Sequence, residues 1–228
     1  MNKYAIVTGA ASGIGLDIAT RLTNEGIVVF GLDQNPFPSV DFHSFICDVS
    51  RESDIIKTLE TIGEVTDHIN YLINVAGVLT VNGKCYIYDT QTDDWNKMLD
   101  NNLTSVFLMI RHTYPMLKMA HGAAIVNLSS DQSLKGQKGF CAYGVSKAGI
   151  NLLTQVAADE FKDDSIRVNA IAPGAVKSNF LTSLFSDEII QQIYEKEGDT
   201  ILKPSQVTDL VCFLISDRCM TTGQILCL

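Results

Sequence analysis

The pattern of apolar residues along this chain predicts a doubly wound α/β fold, a parallel sheet of about seven strands with helices on both faces. Three observations carry that expectation. Short β-branched apolar runs alternate with longer amphipathic stretches, the βαβ rhythm of a parallel sheet. A glycine-rich turn, Thr8-Gly9-Ala10-Ala11-Ser12-Gly13-Ile14-Gly15, joins the first run to the first amphipathic stretch. No Pro/Ser-rich linker, internal repeat or low-complexity tract divides the 228 residues, so a single domain over 1–228 is expected.

The elements follow in order. The first strand is expected over residues 4–8 and the helix behind the glycine turn over 15–25. Strands are then expected over 27–32 and 42–46, separated by the turn cluster Gln34-Asn35-Pro36-Phe37-Pro38. A helix over 52–62 leads to a strand over 71–75, and one long helix over 94–119 to a strand over 124–128. After the polar loop 132–139 come a helix over 143–161, a strand over 167–171, a helix over 204–215 and a short strand over 224–228.

Composition narrows the function. With 46% hydrophobic and 19% charged residues the chain can bury a substantial core and does not read as disordered. A formal net charge of -9 argues against nucleic acid or an anionic membrane surface as the main partner. The six cysteines, Cys47, Cys85, Cys141, Cys212, Cys219 and Cys227, show no Cys-x-x-Cys pair or Cys/His cluster, so no metal is expected and reduced, mostly buried thiols are. The opening residues run straight into a strand, and no apolar run is long enough to span a bilayer, which makes a cytoplasmic protein the expectation.

The glycine turn suits a phosphate. Its backbone at Gly9, Ser12, Gly13, Ile14 and Gly15 can approach a pyrophosphate closely, and the following helix N-terminus offers unsatisfied N–H groups and a partial positive charge. Asp33 ends the second strand, where a carboxylate accepts hydrogen bonds from the ribose hydroxyls of an adenosine and repels a 2′-phosphate. Ser12 and Gln34 supply no cation to neutralise such a phosphate, so NAD(H) is favoured over NADP(H). Asp48 and Val49 follow the third strand and could contact the adenine, while a helix N-cap at Ser50 is an equal local alternative.

Ser130, Tyr143 and Lys147 form a second constellation. Tyr143 and Lys147 are four apart, on one helix face, and Ser130 lies thirteen residues before Tyr143, just past the strand 124–128. If that helix packs back on the sheet, a hydroxyl, a phenol and an ammonium surround one reacting oxygen. Taken alone, a Tyr/Lys pair at this spacing is also an ordinary solvated surface pair.

The loop Thr8 to Gly15 together with Tyr143-x-x-x-Lys147 resembles the short-chain dehydrogenase/reductase family, whose members are single-domain Rossmann oxidoreductases. The resemblance extends to Asn74-Val75-Ala76-Gly77, to Asn102 within Asn101-Asn102-Leu103-Thr104, to Ser130, and to Pro173-Gly174. It implies hydride transfer between NAD(H) and a secondary alcohol or ketone, with Asn102, Ser130, Tyr143 and Lys147 as the catalytic set. Tyr143 would be the general acid and base, Lys147 would hold the nicotinamide ribose, Ser130 would orient the substrate oxygen and Asn102 would position a relay water. A phenol is a poor base at neutral pH, so a nearby Lys147 ammonium and the positive nicotinamide are expected to favour its ionised form. Further cofactor contacts are implied for Asn74, Ala76, Gly77, Tyr143, Lys147, Pro173, Gly174, Val176 and Ser178, the last standing where the family usually has threonine.

The resemblance also implies a homodimer or homotetramer, with the helices 94–119 and 143–161 as contact faces. The ending Gly223-Gln224-Ile225-Leu226-Cys227-Leu228 lacks the family's usual Asp-Gly-Gly tail and bears on the tetramer. Residues 179–203 lie where the family closes a flap over substrate, with Phe180, Leu181, Leu184, Phe185, Ile189, Ile190, Ile193 and Tyr194 as its apolar face. Asp187, Glu188, Glu195, Glu197 and Asp199 make it acidic, which disfavours a phosphorylated or carrier-bound substrate, and the loop 131–138 suits a hydroxylated one. Two alternatives stand beside this expectation: a 3-oxoacyl-carrier-protein reductase, and a non-catalytic NAD(H)-binding regulatory protein.

Overall fold

The structure is a computed structural model, described for residues 2–79, 85–177 and 201–228, together with Gln191 and Gly198. Strands β1 (Tyr4–Thr8), β2 (Val28–Asp33), β3 (His43–Ile46), β4 (Tyr71–Asn74), β5 (Ala124–Leu128), β6 (Arg167–Ala172) and β7 (Ile225–Cys227) form a seven-stranded sheet in the order β3-β2-β1-β4-β5-β6-β7. Every pairing is parallel, with Ile6 opposite Phe30 and Leu72, and Leu72 opposite Ile125. The described α-helices are α1 (Gly13–Asn24), α2 (Glu52–Gly63), α3 (Thr92–Leu99), α4 (Ser105–Met119), α5 (Cys141–Glu160) and α6 (Pro204–Ile215).

Side chains alternate across the strands, so each face of the sheet carries its own core. On one face Ile6, Phe30, Leu72, Ile125 and Val168 pack against Ile55 and Ile62 of α2, Met109 and Leu117 of α4, and Ile150 and Ala157 of α5. On the other, Ala5, Val7, Val29, Ile73 and Val126 pack against Ile18 and Leu22 of α1 and Val207, Val211 and Leu214 of α6. Residues such as Leu72 and Ile73, 0% and 1% exposed, each contribute about 2 kcal/mol by leaving water. The near-continuous apolar strands are what a sheet covered on both faces requires.

The expected and observed element ends lie within two residues of each other, with 4–8, 124–128 and 204–215 coinciding, and the two differ at one helix. Residues 94–119 do not form a single α-helix: α3 and α4 are joined by a π-helical turn at Asp100–Thr104. The physical cause is Asn102, wholly buried and hydrogen-bonded sideways, which hydrophobic periodicity cannot register. The N-cap of α2 is Arg51 rather than Ser50. Of the six cysteines, Cys47, Cys85 and Cys219 are buried, Cys141 and Cys212 half-buried and Cys227 exposed.

The strand order reverses between β1 and β4, and the crevice beyond the carboxyl ends of the strands at such a point is where these sheets take ligands. Thr8, Asp33, Asn74, Leu128 and Ala172 all end strands at this edge.

Candidate active site

The loop after β1 is shaped by two glycines in the left-handed region, Gly9 at φ 70° and Gly13 at φ 55°. A side chain on Gly15 would place its Cβ 2.1 Å from Gly9 O, so the turn closes only with glycine there. Ser12 occupies the N-cap of α1 in extended conformation, but its side chain makes no capping bond and is exposed. The first N–H groups of α1 are therefore left without a capping side chain, which is what a phosphate acceptor needs. Ile14 is half-buried against the α1/α6 core and sets the helix on the sheet. Thr8 Oγ1 accepts from Val75 N at 3.0 Å and Ala76 N at 3.1 Å, tying the loop to the end of β4.

Asp33 is nearly buried, at 9% exposure. Its Oδ2 accepts from Ala11 N at 3.0 Å, and its Oδ1 from Asn35 N at 2.9 Å and Asn35 Nδ2 at 3.1 Å. It thus braces the phosphate loop while Oδ2 keeps one acceptor direction in hand. Asp48, by contrast, is spent locally: Oδ1 accepts from Ser50 N at 3.0 Å and Ser50 Oγ at 2.6 Å, and Oδ2 pairs with Arg51 at 3.2 Å. Val49 packs on the core from its edge.

Around Gly77 the second half of the site assembles. A Cβ on Gly77 would stand 2.9 Å from Asn102 Oδ1 and 3.5 Å from Lys147 Nζ, so the missing side chain is what lets these two groups close in from α5 and the π turn. Asn102 Oδ1 accepts from Val78 N at 2.6 Å; its Nδ2 donates to Val78 O at 2.8 Å and lies 3.2 Å from Ser146 Oγ and 3.1 Å from Met98 Sδ. Lys147 Nζ donates to Leu128 O at 2.8 Å and sits 5.8 Å from the Tyr143 ring centroid. Ser130 Oγ lies near enough to the Tyr143 hydroxyl to favour its ionised form, accepts from Gln132 N at 3.2 Å and donates to Asp131 Oδ1 at 3.3 Å. Asn74 Nδ2 donates to Asn127 Oδ1 at 2.8 Å, and Asn127 Nδ2 to Thr154 Oγ1 at 2.9 Å, a polar ladder from β4 through β5 to α5. The strand-end residues Pro173 and Gly174 follow β6: Pro173 O accepts from Asp131 N at 3.0 Å, and Val176 bridges to Leu202. Ser178 and the flap residues, save Gln191, Gly198 and 201–203, lie outside the described residues.

Burial dominates the two ionisable groups. Tyr143 is pushed up to about 12, by desolvation first, with the Ser130 hydrogen bond pulling down and the Asp131 charge adding to the rise. Lys147 is pushed down to about 8 by desolvation alone. Within the protein itself the net force on Tyr143 is upward, whereas the expectation that the phenolate is favoured included the positive nicotinamide beside Lys147. Among the described residues no group of three or more His, Cys, Asp or Glu could hold a metal, and no helix is long and apolar enough to cross a membrane.

Sequence reasoning brought together Ser130, Tyr143, Lys147 and Asn102, and the structure places them around one point. It missed Ser129, whose Oγ donates to Lys147 O at 3.2 Å, and Ser146, whose Oγ donates to Tyr143 O at 2.7 Å. Both sit beside a catalytic candidate in the chain, and only that adjacency could have flagged them.

A dinucleotide fits these residues: an uncapped helix start, a loop that tolerates only glycine at its closest approach, and a buried carboxylate at the end of β2. Comparison with known proteins agrees. The family model for short chain dehydrogenases matches residues 3–189. A short-chain dehydrogenase/reductase of Penicillium canescens, olcF, is 34% identical over 95% of this chain and 91% of its own length. A cyclopentanol dehydrogenase of Comamonas testosteroni is 31% identical over the same shares. The solved aldohexose dehydrogenase of Thermoplasma acidophilum superposes with a TM-score of 0.91 at 27% identity, covering 100% of this chain and 92% of that one. An NAD+-bound xylitol dehydrogenase (TM-score 0.87, 28% identity, 99% and 97% covered) and ElxO with NADP bound (TM-score 0.86, 26% identity, 100% and 97% covered) show that such neighbours take either nucleotide.

Proposed function

We propose, from the premise that this chain belongs to the short-chain dehydrogenase/reductase family and is an oxidoreductase of it, that it interconverts a secondary alcohol and its ketone with NAD(H). The observation that carries this is the convergence of Asn102 and Lys147 on Gly77, with the Tyr143 ring 5.8 Å from Lys147 Nζ and Ser130 close to the phenol. When bound, the nicotinamide supplies or accepts the hydride and carries, in its oxidised form, a positive charge. Tyr143 Oη takes the alcohol proton in oxidation and returns it in reduction. Ser130 Oγ donates to the reacting oxygen and orients it. Lys147 Nζ, held by Leu128 O, adds positive charge beneath the phenol and holds the nicotinamide ribose. Asn102 keeps the π turn in place and passes a proton through a relay water behind the lysine.

Gly9, Ser12, Gly13, Ile14 and Gly15 would hold the pyrophosphate, and Asp33 the adenosine ribose. Asp48 and Val49 would border the adenine, with Asp48 oriented by Ser50 and Arg51. Asn74, Ala76, Gly77, Pro173, Gly174, Val176 and Ser178 would complete the nicotinamide side. The preference for NAD rests on Asp33, whose burial leaves its charge little screened against a 2′-phosphate. The resemblance to a cyclopentanol dehydrogenase and the fit to sugar-alcohol enzymes support a neutral hydroxylated substrate. A homodimer or homotetramer would form through α4 and α5, where Phe107, Val145, Leu152 and Val156 are exposed.

The test is a panel of neutral secondary alcohols and ketones with NAD and NADP side by side, following reduced nicotinamide absorbance. Turnover with NAD at least ~10-fold more efficient than with NADP is expected. Strong NADP(H) preference on a 3-oxoacyl thioester would favour the carrier-protein reductase instead. Tight NADH binding with no turnover of any compound would favour the regulatory alternative.

A further inference from the structure

Asp131 stands beside the catalytic hydroxyl and has no part in the proton-moving set. Its backbone N–H donates to Pro173 O at 3.0 Å, which locks it between the carboxyl ends of β5 and β6. Its side chain keeps 32% exposure. Oδ1 accepts from Ser130 Oγ at 3.3 Å and Gln132 Nε2 at 3.4 Å, and Oδ2 pairs with Lys135 Nζ at 3.0 Å. The carboxylate is close enough to Tyr143 for its charge to oppose ionisation of the phenol.

Ser130, a single hydroxyl, has one proton to give, and one of its lone pairs already accepts from Gln132 N. That proton can go to Asp131, to Tyr143 or to a substrate oxygen, but to one at a time. With a monofunctional alcohol, orienting the substrate takes the proton away from Asp131. The carboxylate then keeps only the long Gln132 contact and an ion pair with a lysine that is 67% exposed, which is weak in water. A second hydroxyl on the adjacent carbon removes the conflict. It donates to Asp131 Oδ1 in a charge-assisted bond while Ser130 turns to the reacting oxygen. A substrate carboxylate or phosphate at the same place meets like charge.

Resting on the assignment of this chain as an alcohol–ketone oxidoreductase, we propose that Asp131 is a specificity-determining residue that selects vicinal diols and their α-hydroxy ketones over monofunctional and anionic substrates. In the oxidation, the reacting carbinol carbon loses a hydride to NAD+, its hydroxyl loses a proton to Tyr143, and the C–O bond becomes a carbonyl. The neighbouring hydroxyl keeps its proton and its bond to Asp131.

The experiment compares kcat/KM for cis-1,2-cyclopentanediol and cyclopentanol in the parent, Asp131→Asn and Asp131→Ala. The parent should favour the diol by ~10-fold or more, the scale of one charge-assisted hydrogen bond. Asp131→Ala should bring the ratio to about one, mainly through a higher diol KM, and raise cyclopentanol turnover as the Ser130 proton is released. Asp131→Asn, which keeps the shape and one acceptor oxygen, should fall between. It should also move the rise of kcat/KM to lower pH, a shift that a merely structural role would not produce. Cyclopentanol turnover with no diol preference in the parent, or a preference that survives Asp131→Ala, overturns this inference and leaves the oxidoreductase assignment standing. Failure to oxidise any alcohol with either nucleotide overturns both.

Discussion

At the carboxyl edge of the sheet, the β1–α1–β2 side is built from backbone and the β4–β5–α5 side from buried side chains. On the first side the working groups are N–H donors and carbonyl clearances, set by Gly9, Gly13 and Gly15, with Asp33 bracing the loop through Ala11 N. On the second the candidates are Asn102, Ser130, Tyr143 and Lys147, each less than a tenth exposed, with Asn102, Ser130 and Lys147 held by hydrogen bonds. The first arrangement fails by steric exclusion and the second by loss of one polar atom. Substitutions can therefore separate nucleotide binding from chemistry.

The largest separation is expected at Gly15. Gly15→Val puts a branched side chain into Gly9 O and the carbon behind it, so NADH fluorescence titration should show no saturable binding, with the thermal midpoint lowered by several degrees. Retention of NADH affinity within threefold would break the backbone account of this side.

Asn102→Ala comes next and reports on the side-chain half. It removes both bonds to Val78 and the polar centre of the π turn. A loss of ~10–100-fold in kcat is expected with NADH affinity changed little, together with ~2 kcal/mol of stability by urea unfolding. Equal losses of kcat and NADH affinity would show that the two sides are not separable.

If Asp33 sets the nucleotide preference as proposed, Asp33→Ser should narrow the NAD over NADP ratio by ~10-fold, read as kcat/KM for each nucleotide, by removing a charge that would repel a 2′-phosphate. The accompanying loss of the Ala11 partner should raise both KM values. An unchanged ratio would move discrimination to another residue.

The smallest effect is one of sign. Lys147 is held near 8, below its ordinary value, so the cost of its buried charge is absent above about 10.5, grows as pH falls and is complete below about 8. At pH 7 that cost is ~3 kcal/mol. Lys147→Met should therefore abolish turnover yet unfold at higher urea than the parent at pH 7, by ~1–2 kcal/mol after losing the bond to Leu128 O, and the gain should vanish toward pH 10.5. Tyr143 acts at the other end: held near 12, it withdraws stability as pH rises from about 10 toward 12. A Lys147→Met protein less stable than the parent at pH 7 would mean that the ammonium is better solvated than its burial implies.

How far the sequence speaks follows the same division. The backbone side was legible because glycine spacing and strand alternation are direct imprints of φ and burial: the strand at 4–8 falls where the pattern puts it, and α1 and β2 within two residues. The side-chain side was legible only where a motif named it. The π turn at Asp100–Thr104 left no trace, since it answers to the sideways bonding of one buried amide. The upward force on Tyr143 was hidden for a related reason: spacing shows that Lys147 is a neighbour, but not that both groups are sealed from water. In sequence Asp131 is one residue of a polar loop suited to a hydroxylated substrate, and its bond from Ser130 is visible only in the structure.

The most direct test of the central claim is alcohol oxidation by Tyr143→Phe, with NADH affinity measured on the same preparation. A fall in kcat of at least ~10³-fold is expected, with NADH affinity within threefold of the parent, since the proposal makes the phenol oxygen the proton acceptor and leaves nucleotide phosphate binding to the loop after β1. Turnover within tenfold of the parent would contradict Tyr143 as the acid and base.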